Sequence, residues 1–171
     1  MNAREPDPNN SLLNVLAGTQ RVNGLQVEAR TRLTSRWDWI GSYANLDSKV
    51  ISSNYYPAAI GAQLANVPRN TFNFWSMQRL PWRLETGIGG NYVSSRPASS
   101  TVPLDPKTGL VKEAPGYWVF NAMASRRLTE HLDLQANLYN ITNRYYYDQL
   151  HPAHVVIGPG RSALIGIKFK F

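Results

Sequence analysis

His151 and His154, three residues apart in a Pro-containing stretch, are the side chains of this 171-residue sequence that most invite chemistry. Imidazole is a common transition-metal ligand, and Asp148 is the nearest acid. The chain has no cysteine, so the coordination set stays incomplete and no metal site is expected. Catalysis has no better footing. Ser, His and Asp all occur, but no Gly-x-Ser-x-Gly elbow, no Gly-rich phosphate loop and no acid pair is placed by a local motif. The expectation is a protein that is not an enzyme and carries no resident cofactor, with an ordinary loop role for both histidines.

The elements that would position these residues are strands. Seven segments of strand length stand out, at 20–33, 37–47, 70–80, 82–95, 117–128, 131–142 and 161–171, and helix-period patterns are hard to find. Residues Leu25, Val27, Ala29, Thr31 and Leu33 alternate with Gln26, Glu28, Arg30 and Arg32. Trp82, Leu84, Thr86, Ile88 and Tyr92 alternate with Arg83, Glu85 and Asn91, and Leu132, Leu134, Ala136 and Leu138 with Asp133, Gln135 and Asn137. The last segment places Ala163, Ile165, Ile167, Phe169 and Phe171 on one face, against Ser162, Gly166, Lys168 and Lys170 on the other. Such a sheet has one apolar face and one polar face.

Links near 34–36, 80–82 and 128–130 are a few residues long, while those near 48–69, 96–116 and 143–160 are long and rich in Pro, Gly, Ser and Asn. A soluble sandwich has no reason for every second loop to be long. An outer-membrane barrel does, having short periplasmic turns and long extracellular loops. On that rule the first nineteen residues belong to an outside loop, in which Leu12, Leu13, Val15 and Leu16 form a short extra strand, and Phe171 ends at the periplasmic rim. The mean hydropathy of -0.36 is compatible with membrane strands, because a barrel carries its apolar residues at alternate positions. A net charge of +7 is spread without a long basic run, so no nucleic-acid partner is expected. The amino terminus lacks the basic start and apolar centre of a secretory signal.

From about Val22 onward the sequence resembles the TonB-dependent outer-membrane receptors, specifically the carboxy-terminal part of the ferric siderophore receptors. The residues 21–28 resemble a family strand that follows a loop, 41–47 its partner, and 67–75 the start of the next hairpin. The most specific match is Leu134-Gln135-Ala136-Asn137-Leu138-Tyr139-Asn140-Ile141-Thr142-Asn143-Arg144-Tyr145-Tyr146, which resembles the family's penultimate strand and its Asn-rich exit. Gly160-Arg161-Ser162 resembles the closing segment, and 147–154 is similar to the catecholate siderophore receptors.

The resemblance implies an all-β, antiparallel, up-and-down transmembrane β-barrel segment of about seven strands, residues 1–171, from a larger barrel of the 22-stranded type. It implies the outer membrane of a Gram-negative bacterium, a ferric siderophore, of catecholate type, as ligand, and contact with outer-membrane lipid. The plug domain and upstream strands are absent from the sequence, so engagement of the TonB machinery would run through parts not present and the segment alone is expected not to transport. Ferric catecholates are anionic and aromatic, and Arg144, Tyr145, Tyr146, Tyr147, His151, His154 and Arg161 are the residues expected to meet them around the last long loop. The same tyrosines also fit an interfacial girdle. Ile165, Ile167, Phe169 and Phe171 form the terminal signal that the family resemblance implies is read by the barrel assembly machinery. Alternatives are a small structural or adhesion barrel without transport, a soluble β-sandwich binding module, and an outer-membrane hydrolase using His151 or His154.

Overall fold

Alternating side chains extend the backbone, and extended segments must pair their N–H and C=O groups with one another. The computed structural model describes residues 2–7, 9–55, 57–99, 112–150 and 154–170. Its strands are β1 (Asn2–Asp7), β2 (Asn10–Thr34), β3 (Trp37–Ser52), β4 (Asn70–Leu80), β5 (Leu84–Val93), β6 (Arg96–Pro97), β7 (Glu113–Ala114), β8 (Tyr117–Arg127), β9 (Leu132–Tyr139), β10 (Tyr147–Leu150), β11 (Val155–Ile157) and β12 (Ser162–Phe169). Eight of them form one sheet in the order β1-β2-β3-β4-β5-β8-β9-β12, every neighbour antiparallel. The two short ribbons, β6–β7 and β10–β11, stand in long loops of this meander.

The register assigns the faces. Asp38, Met77, Gly87, Met123 and Asn137 fall in one row. The next row holds Trp37, Gln78, Thr86, Ala124, Ala136 and Ile165, whose side chains leave from the opposite face. The first face forms an open trough whose lining includes Arg79, Glu85, Arg127, Asp133, Gln135 and Lys168. The second carries Ile88, Trp118, Leu134, Ile165, Ile167 and Phe169, all exposed. A soluble sandwich would cover that apolar face with a second sheet, and the described residues supply none. Hydrocarbon is the medium that accepts it, with backbone groups paired strand to strand. Strands β4, β5 and β8 have 11, 10 and 11 residues, close to the roughly 9–11 that a tilted membrane strand needs.

The polar face is tied together near its short turns. Arg32 pairs with Asp38 across the turn between β2 and β3 at 3.0 Å, Arg79 with Glu85 across the next at 3.2 Å, and Arg127 with Asp133 across the third at 3.4 Å. Arg79 also reaches back to Asp38, and Lys170 pairs with Asp133 at 2.6 Å, so the pairs run on between hairpins.

Consecutive glycines in β5 serve the two faces separately. A Cβ on Gly89 would sit 1.8 Å from Trp75 Cε3, so the indole lies flat on the backbone in the trough. A Cβ on Gly90 would meet Phe74 Cε1 at 2.6 Å on the outer face, where Phe72, Phe74, Tyr92, Trp118 and Phe120 form an aromatic cluster with centroids 5.2–6.4 Å apart.

Two expectations are corrected, and one feature of the loops is added to them. The stretch around Leu12, Leu13, Val15 and Leu16 is not a separate short strand. It is the upper part of the 25-residue β2, and residues 2–7 fold back on it as β1, with Asn9 N–H donating to Asp7 Oδ1 at 2.8 Å in the turn. Pro6 is accommodated because β1 is an edge strand. Trp82 does not belong to a strand: it and Arg83 have φ of 61° and 56° in the turn before β5, and Trp82 is 79% exposed. Finally, the long loops contain ribbons of their own, which their Pro- and Gly-rich composition masked.

Candidate functional site

Among the described residues, Val119 is buried within β8, and the other buried apolar residues cluster at the long-loop end of the sheet. Val50, Ala59 and Leu64 pack together under the loop between β3 and β4, and Ala98, Ala114 and Leu150 join the loop between β5 and β8 to the one between β9 and β12. The long loops therefore have small cores, at the end of the sheet opposite the short turns.

Polar side chains lock these loops to one another. Asn66, with φ of 58°, comes from the first long loop; its Nδ2 donates to Leu150 O, its Oδ1 accepts from Leu150 N–H at 3.0 Å, and its own N–H donates to Pro97 O at 3.0 Å. Arg96 comes from the second loop and is 4% exposed. Its Nη2 donates to Tyr147 O at 2.9 Å and Asp148 O at 2.6 Å, and its guanidinium carbon lies 5.8 Å from the centre of the Tyr117 ring.

The third loop, between β9 and β12, is organised from its base. Asn140, 2% exposed with φ of 48°, donates through Nδ2 to Arg144 O and Pro159 O at 2.9 Å each and accepts from Arg144 N–H at 2.8 Å. Its N–H donates to Asn121 Oδ1 on β8 at 3.0 Å. Asn143 takes the N–H of Arg161 at 3.0 Å, which closes the loop's mouth.

On this base the expected site residues part company. Tyr146 turns inward: its ring lies 4.5 Å from the Tyr117 ring and against Gly158, where a Cβ would come within 2.1 Å of Tyr146 Cζ. Burial raises the Tyr146 phenol above the usual range, with Asp148 and Tyr117 adding to the effect, so it is a neutral packing ring at physiological pH. Tyr145, 62% exposed, meets Tyr147 edge to face at 5.6 Å. Arg144, His154 and Arg161 are exposed. His151 and Phe171 lie outside the described residues. Ile165, Ile167 and Phe169 line the outer face of β12 at 71, 61 and 65% exposure. No cluster of three or more metal-binding side chains occurs among the described residues. Sequence reasoning missed Asn66, Arg96 and Asn140 as loop-holding residues; the Asn-rich run at 140–143 was the one signal that pointed to any of them.

Exposed cations and aromatic faces on loops joined by buried ones can receive an anionic, aromatic ligand at the long-loop end. Comparison with known proteins places the chain in context. It is 37% identical over 158 residues to the Bordetella pertussis protein named "Probable TonB-dependent receptor BfrD", covering 91% of this chain and 21% of that one. It is 25% identical over 143 residues to the Catecholate siderophore receptor Fiu of Escherichia coli K12, covering 84% and 18%. The crystal structure of the siderophore receptor PiuA from Acinetobacter baumannii superposes with a TM-score of 0.85 at 23% identity, over 99% of this chain and 24% of that one. The chain thus spans about a fifth of the length of these relatives. Residues 2–141 match the profile described as "TonB dependent receptor-like, beta-barrel". With its meander of membrane-length strands, apolar outside and charged inside, the chain belongs to the TonB-dependent receptor β-barrel family of the Gram-negative outer membrane.

Proposed function

We propose that the chain is the carboxy-terminal barrel segment of a receptor that binds ferric siderophores of the catecholate class at its outer mouth and, when complete, imports them. The observation that carries this reading is the third long loop, which displays Arg144, Tyr145, His154 and Arg161 from a base clamped by Asn140. Cationic and aromatic groups are the partners that an anionic, aromatic iron complex requires. Similarity to a protein named a catecholate siderophore receptor supports the same ligand class. The function is binding and passage, without bond chemistry.

Import in the intact receptor depends on a plug and on the inner-membrane TonB machinery, neither of which these strands supply, so the segment alone does not transport. Its apolar outer face contacts outer-membrane lipid, and the exposed outer row of β12, with Phe171 beyond it, is the signal for the barrel assembly machinery. Uptake of radio-iron from an iron(III) tris-catecholate by iron-starved cells tests the proposal. Cells with the full-length gene accumulate iron, and cells expressing residues 1–171 alone match the receptor-less strain. Equal uptake by receptor-less cells and cells carrying the full-length gene would contradict it.

A further inference from the structure

The β10–β11 ribbon raises a question of backbone pairing. β10 pairs with β11 along one edge, through Tyr147–Ile157, Gln149–Val156 and Leu150–Val155. A two-stranded ribbon is marginal alone, and backbone groups turned away from its partner need other hydrogen bonds. Side chains from two other loops supply them. Arg96 grips the carbonyls of Tyr147 and Asp148, and the Asn66 amide takes both the N–H and the C=O of Leu150. An amide bonded in that two-way manner mimics the backbone of a neighbouring strand, and a planar guanidinium suits adjacent carbonyls. Arg96 has no ion-pair partner among the described residues, and its Nη1 is buried without a hydrogen bond. A buried cation held without a carboxylate is costly, so its hold on two carbonyls and the Tyr117 ring accounts for its placement.

We propose that Arg96 and Asn66 are positioning residues for ligand recognition: from two neighbouring loops they fix Tyr147–Leu150, and through the Tyr145–Tyr147 ring contact they fix the exposed face of Tyr145. The inference rests on the reading of the third loop as the ligand-contacting one. Neither residue touches the ligand.

A double-mutant cycle in the full-length receptor tests it, with an iron(III) tris-catecholate complex as probe and heat-modifiable migration as the check on folding. Arg96→Ala and Tyr145→Ala each raise Kd by about tenfold. If Arg96 acts through Tyr145, the double variant binds within about twofold of the weaker single one. Arg96→Lys does not restore binding, because a compact ammonium keeps the charge and loses the fork. Asn66→Ala, which removes the other grip, behaves like Arg96→Ala and carries the test should Arg96→Ala not fold. Wild-type affinity in the folded Arg96→Ala or Asn66→Ala variant, rescue by Arg96→Lys, or a double variant weakened by the product of the single effects would each overturn the inference alone. Failure of the folded wild-type receptor to bind the probe would overturn the ligand reading and this inference with it.

Discussion

Asn140 shows how much one side chain holds at the long-loop end of the sheet. Its amide serves the carbonyls of Arg144 and Pro159 and the N–H of Arg144, while its backbone takes a left-handed φ that Asn tolerates better than most residues. Asn140→Ala leaves these groups without that partner and is expected to lower the local opening free energy of the third loop by about 2 kcal/mol. Hydrogen exchange at the Arg144 amide measures this, with the strand amides of β9 and β12 unchanged; a simultaneous loss of strand protection would mean that the residue supports the wall itself. At this scale the sequence was partly legible. A Tyr-rich run after Arg144 is visible in the sequence, and of its three tyrosines Tyr145 is exposed while Tyr146 and Tyr147 are half-buried. That Tyr146 turns inward depends on Gly158 and Tyr117, and the roles of Asn66 and Arg96 depend on partners 84 and 51 residues away, which no local pattern encodes.

At the scale of elements, period-two alternation was enough to find the strands, because one face meets hydrocarbon and the other a polar interior. The bounds of β4 match the expected 70–80, and the other strands shift by a few residues, except where β2 and β3 run on beyond the wall. Those extensions were hidden because residues 10–20 carry no strict alternation and gain order from the hairpin with β1. The ion pairs across the three short turns are legible in principle, since each joins an arginine to an acid six residues later, although alternation assigns only some of these residues, such as Arg32, Glu85 and Asp133, to the polar face. The face assignment makes a quantitative prediction. Ile88→Lys puts a charge on the outer face of β5 and is expected to destabilise the intact receptor in lipid vesicles by about 2–4 kcal/mol if it lies near the midplane. Gln135→Lys, on the trough face, is expected to cost less than about 1 kcal/mol. Denaturant titration of both variants measures the difference, and equal losses would mean that the faces are assigned wrongly.

On the scale of the whole molecule, the eight-stranded sheet ends in β1 and β12, and the described residues provide no closing pair between them. A membrane sheet must close, and the solved relative has about four times this length. The segment therefore works as part of a larger wall, contributing a continuous outer face, a charged inner face, and three long loops joined at one end. Legibility was greatest here. The rhythm of short and long links, together with the family resemblance, pointed to the barrel, whereas the interlocking of the loops rests on contacts between residues far apart in the sequence. The central claim is that the third of these loops receives a ferric catecholate, and equilibrium binding of an iron(III) tris-catecholate to the purified full-length receptor tests it most directly. Deleting residues 144–160 should abolish binding while the barrel keeps its heat-modifiable migration. Unchanged affinity in the folded deletion variant would contradict the account.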